Sequence, residues 1–270
     1  MSLILCRQES VQTPYYIEEL NIHIYSSQEL CYVIYNNPLL VMEDFVDERL
    51  LTFLRSELKM PFLAERLSKW IVGHGLSDEL LLIILQDCTY YNQQELIRFK
   101  QELAAFRKLP EEEYKKKRAD YFYGLGLYGR SRTIYEKILD SNFRNRFTPD
   151  FKSSLWNNIA ACHAKLFCYP QALRAYECAW REKQDTEYLK RMYLLTKADP
   201  GLSLKDEFSE HIEEEQKLAW GEEEDDIRKE AGYSKRMTAL AQIFEKEPSE
   251  RLNGAADVLN QWKASYRRML

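Results

Sequence analysis

The chain has 270 residues, 45% of them hydrophobic and 30% charged, enough apolar material for one elongated body or two compact ones. Nine glycines and eight prolines leave little turn material for many short strands, so an all-α fold is the default. The net charge of −5 is uneven: residues 1–110 hold 10 basic and 15 acidic groups, 111–200 hold 17 and 12, and 201–270 hold 11 and 16, which favours an acidic partner for the basic middle and argues against broad nucleic-acid binding.

Six scattered cysteines (Cys6, Cys31, Cys88, Cys162, Cys168 and Cys178) form no C-x-x-C pair, and a disulfide framework is not expected at this size and density. The opening MSLILCRQES has too short an apolar run for a signal peptide, and Leu80–Leu85 is far too short to cross a bilayer. These features place the chain in the cytoplasm, with no membrane partner.

Residues 1–25 are the least helical part. Leu3–Leu5 and Asn21–Tyr25 flank Pro14 and fit either two paired strands or packed extended chain. Ser26-x-x-Glu29 has the spacing of a capping box, in which the serine accepts a free helix N–H and the glutamate reaches back. A helix follows through Leu30, Val33 and Ile34. Pro38 opens a second over PLLVMEDFVDERLLTFLRSEL, with Leu39, Met42, Phe45 or Val46, Leu50 and Phe53 inward. Pro61 starts a third, carrying Phe62, Leu63, Leu67 and Trp70 and stopping at Gly73-His74-Gly75. Ser77 caps a fourth over 78–88, and a fifth spans 93–108. Short turns between five helices are the layout of a helical bundle or solenoid cap.

Pro110 begins the middle region, and Glu111–Glu113 suit the positive end of a helix. Ala119, Phe122, Leu125, Tyr128, Ser131, Tyr135 and Ile138 are a weaker copy of a pattern that returns at Leu155–Trp180. There Trp156, Ile159, Ala160 and His163 share one helix face, and Ala172, Tyr176 and Ala179 share another. Small Ala160 and Ala172 let two axes approach, with Trp156 and Tyr176 filling the space around them. Thr148-Pro149 and Pro170 start helices, and Tyr188–Leu195 is half of a further copy.

The order Trp156-x2-Ile159-Ala160-x2-His163, then Ala172-x3-Tyr176-x2-Ala179, resembles a tetratricopeptide repeat. His163 stands for the usual aromatic, Ala160 for the glycine, and no closing proline follows near Lys183. The resemblance implies an α-solenoid of helical hairpins over 110–200, capped by an N-terminal helical bundle (1–109) and an acidic C-terminal helical extension (201–270). In the family, the first helix of each repeat lines a concave groove that binds peptides, often through an asparagine. Asn158 matches that place, with Asn157, Lys165, Lys116 and Arg191 on or near the same side and Asp120 as a lone acid.

Beyond 200, Phe208, Ile212 and Leu218 mark a helix ending near Trp220-Gly221. The acidic run Glu222–Asp226 follows, as a solvated helix end or linker or as a lid over the basic middle. Met237–Phe244 and Leu252–Tyr266 mark two more helices.

No catalytic set emerges. Gly124-x-Gly126-x-x-Gly129 matches a dinucleotide fingerprint on paper, but that motif needs a strand before it. Cys162 and His163 are adjacent on a helix, about 100° apart, and do not converge on a metal. The expectation is therefore a non-enzymatic adaptor without metal or cofactor, holding a protein or peptide partner of acidic character. The alternatives are a nucleic-acid-associated regulator, which would need a recognition helix or basic arm, and an enzyme with a site near His74.

Overall fold

The computed structural model describes residues 11–73, 76–142 and 144–270. Leu3–Leu5, Cys6, His74 and Gly75 lie outside that set, and with them the 3–5 stretch read as strand or extended chain and the alternative of a site near His74. Helices make up 74% of the chain, and the sheet among the described residues has two strands, so the fold is all-α. By its packing the chain divides into two units, up to Tyr121 and from Phe122 onward.

The first unit opens with a hairpin, β1 (Tyr15–Ile17) against β2 (Ile22–Ile24), Tyr16 opposite His23. The partner of the 21–25 stretch is thus Tyr15–Ile17. Ile17 and Ile24 point inward, while the Tyr16 and His23 rings meet at 4.8 Å on the other face, the two-residue period of a half-buried ribbon. Asn21 makes the turn with φ 54°, a conformation asparagine tolerates.

Ser26 caps α1 (Ser27–Asn36) by accepting the Glu29 N–H, and the Glu29 carboxylate reaches back to the Tyr25 N–H at 2.6 Å. The long helix expected from Pro38 is two: α2 (Pro38–Val41) and α3 (Glu48–Ser56). Asp47 is the reason, its carboxylate accepting the Leu50 N–H at 2.8 Å and starting a new helix there. α4 (Pro61–Val72), α5 (Ser77–Cys88) and α6 (Gln93–Arg107) follow. Leu76, not Ser77, holds the cap position of α5, and Asn92 with Glu95 forms a capping box on α6. Phe62 is 85% exposed and Trp70 also faces out, so α4 packs through Leu63, Ala64 and Leu67 alone. Arg107 clamps Asp78 with two bonds, at 2.8 and 3.1 Å. α7 (Glu111–Gly124) is fastened in this unit by Arg118 on Glu43 and by the Tyr121 hydroxyl on Asn37 at 2.7 Å.

The second unit holds α8 (Tyr128–Leu139), α9 (Pro149–Lys165), α10 (Tyr169–Glu182) and α11 (Thr186–Ala198). α9 packs on α8 and α10, and α10 on α11. Ala160, Ala172, Ala179 and Cys162 are fully buried at these contacts, where small side chains let the axes close in. Tyr176 is buried beside them and Trp156 half-buried.

Two turns repeat with a 41-residue offset, the offset that also relates Tyr135 to Tyr176. At the first, Gly126 (φ 79°) lets Leu127 N–H bond the Phe122 carbonyl and Gly126 N–H the Tyr123 carbonyl. At the second, Phe167 (φ 59°) places Cys168 N–H on His163 and its own N–H on Ala164. Both are the helix-ending motif that wants a left-handed residue, and only the first uses glycine.

After α11 comes α12 (Asp206–Ser209), which seats Phe208 against Trp180. The helix expected to end at Trp220-Gly221 instead runs on as α13 (Glu214–Gly232), so Glu222–Asp226 is helix rather than linker. Its ion pairs Glu224–Arg228 and Asp226–Lys229 carry the acidic run through. α14 (Lys235–Phe244) and α15 (Pro248–Met269) complete the unit.

Candidate functional site

Three of the six expected groove residues come together. Asn157 and Asn158 lie half-buried near the middle of α9, and the Asn157 amide donates to Asn158 Oδ1 at 3.1 Å. Arg191 of α11 donates through Nη1 to Asn157 Oδ1 and through Nε to Glu187 at 3.1 Å. The Glu187–Arg191 pair is one helical turn apart, so α11 itself aims the guanidinium at α9. A planar guanidinium fixed on two sides has lost less freedom to lose again on binding than a solvated lysine.

Aromatic hydroxyls surround this cluster. Burial pushes the Tyr176 hydroxyl up from its ordinary value, while Arg191 beside it pulls the other way. Tyr123, at the end of α7, is likewise raised by burial, and its electrostatic neighbours are Cys162, Tyr128, Tyr176 and Arg191. Tyr123 and Tyr128 meet edge to face at 5.1 Å. The result is a polar and aromatic setting for one guanidinium, which Glu187 pairs and aims. Tyr123 and Glu187 are not singled out by the sequence, which marks Tyr176 only as a packing residue, although the Glu187–Arg191 spacing is a readable signal.

The other three expected residues are Lys116 and Asp120, in the first unit, and Lys165, in the second. Lys116 and Asp120 belong to the first unit and pair with each other across one turn of α7 at 3.0 Å, so the lone acid neutralises the lysine. Lys165 is exposed at the end of α9, seven residues or about 10 Å along the axis from Asn158. The acidic run reaches α11 through Glu223 on Lys190 at 2.6 Å, one residue from Arg191 but on a neighbouring row of the helix.

His163 occupies the place of the repeat's aromatic. Its Nδ1 is buried with no hydrogen-bond partner, and burial, with Arg132 and Arg174 nearby, holds its pKa below the ordinary value. Among the described residues no three His, Cys, Asp or Glu side chains converge as metal ligands. The three-glycine stretch follows a helix, and Gly126 is its turn, so the strand-to-helix turn of a dinucleotide site does not form there. No helix among the described residues is long and apolar enough to cross a membrane.

Comparison with known proteins finds no match to a family model, a curated protein or a solved structure.

Proposed function

We propose that the chain is a non-enzymatic adaptor of the cytoplasm whose tetratricopeptide-like hairpins hold an extended, acidic peptide across α9 and α11. The observation that carries this reading is Arg191, held by Glu187 and Asn157 beside Asn158. A carboxylate on the partner would take the guanidinium's remaining donors, and the two amides would hydrogen-bond the partner's backbone. The excess of basic over acidic residues in 111–200 raises the encounter rate with such a partner.

The test measures anisotropy of a panel of labelled acidic and charge-neutral peptides on the full chain. Acidic members bind, with affinity falling as salt rises. Arg191→Met weakens them about tenfold, roughly the loss of one charge-assisted contact. Asn158→Ala with Lys165→Ala lowers both this affinity and recovery of the partner in a pull-down from native cells. Equal binding of charged and neutral peptides, or variants indistinguishable from wild type, rejects the groove.

A further inference from the structure

The outer face of the β1–β2 hairpin is built from rings, where a solvated ribbon ordinarily carries polar side chains. The two-residue period sends Ile17 and Ile24 inward together with Tyr15, whose ring packs on Phe45 and Phe53. It sends Tyr16 and His23 outward, and Tyr25 continues the period one residue past β2. Tyr16 and His23 are paired in register with ring centroids 4.8 Å apart, and His23 and Tyr25 are 6.5 Å apart. Three rings thus stand in a row facing solvent, Tyr16 exposed by 37% and Tyr25 by 49%. The row is held in place. The Tyr16 hydroxyl donates to Asn21 Oδ1 at 2.8 Å, and the Glu29 carboxylate accepts the Tyr25 N–H. Cross-strand pairing accounts for Tyr16 and His23 as stabilisers of the ribbon. It does not account for Tyr25, which lies beyond the last pair, Tyr15 with Ile24.

The charge around the rings selects what they can take. From residue 11 to residue 48 the chain has seven acidic side chains and no lysine or arginine. Glu18, the residue after β1, is exposed. A segment of that sign repels phosphates, so the rings are not a platform for the bases of a nucleic acid. It draws in a cation, and a guanidinium gains further from the face of a tyrosine ring. The inner side of the same ribbon already shows this contact, with the Arg49 guanidinium carbon 5.7 Å from the Tyr15 ring centroid.

We propose that the outer face of the hairpin is a second binding surface, which takes an arginine-rich segment of a partner protein with its guanidinium groups stacked on Tyr16, His23 and Tyr25. Glu18 lies at the edge of the row and attracts the incoming charge. The surface belongs to the first unit, and its partner has the opposite charge to the one expected at Arg191, so the inference is independent of the groove.

The test is fluorescence anisotropy of a labelled oligoarginine peptide on the full chain, beside an oligoglutamine peptide of the same length and an oligothymidine strand. The wild type is expected to bind the arginine peptide, more weakly as salt rises, and neither of the others. Tyr16→Thr with Tyr25→Thr removes two rings, changes no charge and keeps a strand-forming residue at Tyr16. It should weaken the arginine peptide about tenfold. Should that pair loosen the ribbon, seen as a lower thermal midpoint, Tyr25→Thr alone lies beyond the last strand pair and should weaken binding about threefold. Arg191→Met should leave the arginine peptide bound, and the ring variants should leave acidic peptides bound, so either surface can fail without the other. An arginine-peptide affinity untouched by both ring variants overturns the proposal, since net charge alone would then hold the peptide. So does equal binding of the glutamine peptide, or tighter binding of oligothymidine.

Discussion

Phe208 is a large core side chain carried by one of the shortest helices. α12 has four residues, yet Phe208 is fully buried, edge-on to Trp180 at 5.5 Å with the Arg181 guanidinium 5.2 Å and the Lys205 amine 5.9 Å from its ring. Truncating a buried phenylalanine to alanine costs about 3–5 kcal/mol, the spread reflecting how far the site collapses. A four-residue helix on a loop can shift inward, so about 3 kcal/mol is expected for Phe208→Ala. The second unit runs from Phe122 to Leu270, 149 residues. At that size each kcal/mol moves the midpoint by about 2–4 °C, so a loss of roughly 10 °C follows. Tryptophan emission is the assay, since Trp156, Trp180, Trp220 and Trp262 lie in this unit and Trp70 alone in the other. Phe208→Leu should recover about half of the loss, because it restores volume without the edge-to-face contact. A shift under about 3 °C for the alanine variant would refute the view that 206–212 belongs to the core of α10.

The remaining predictions concern charge and caps. Glu177 is only 6% exposed and is bonded by Lys205, with Arg181 3.8 Å away. Lys205→Met should therefore destabilise more than Glu177→Gln in urea unfolding, by about 1–3 kcal/mol, since it strands a buried carboxylate while the amide keeps an acceptor. Asp47→Ala removes the cap that starts α3 and should cost about 1 kcal/mol, with exchange at Leu50 N–H rising first; an unchanged rate would mean that the break at 42–47 has another cause. The His163 pKa is lowered in the fold, so the unfolded chain binds more protons in the window below the ordinary value. Its contribution is complete above about 6.5 and lost as pH falls through the folded value, so the wild-type midpoint should drop between pH 7.5 and 5.5 by more than that of His163→Tyr. Parallel profiles would show that His163 titrates as freely in the fold as outside it.

Periodicity and turn chemistry carried most of the helices. The spacing of Trp156, Ile159 and Ala160 and of Ala172, Tyr176 and Ala179 located α9 and α10, because a 3.6-residue stripe has one partner face to satisfy. It misled where a local side chain outweighed it. Met42 and Phe45 continue the stripe of α2 toward α3, and periodicity cannot see that Asp47 claims the Leu50 N–H and restarts the helix. The acidic run 222–226 read as a helix end because like charges repel, but Glu224 and Asp226 each find a cation three or four residues on. Phe62 follows Pro61 at the first turn of α4, and hydrophobicity alone gave it no face to bury.

The site divides along the same line. Helical spacing alone puts Asn157, Asn158 and Arg191 on or near one side, and the Glu187–Arg191 bond needs no more than that spacing. Lys116 and Asp120 sit on the expected helix, yet the turn that brings them to one face also lets them cancel, so spacing that identifies a charge does not say whether it is free to act. The close approach at Gly129 left no local trace: the glycine is required by the Leu270 backbone, and the three-glycine motif, lacking a strand before it, gave no reason for it. A glycine inside a helix, with no turn to make, marks a place where another chain segment lies too close for a side chain. By that criterion Gly129 belongs with contacts between elements, whereas Gly126, at φ 79°, belongs with the turn itself, and substituting the two by alanine should separate these roles. Gly126→Ala strains the link between α7 and α8 by about 1 kcal/mol and leaves Leu270 against α8, while Gly129→Ala displaces Leu270 and leaves α8 intact.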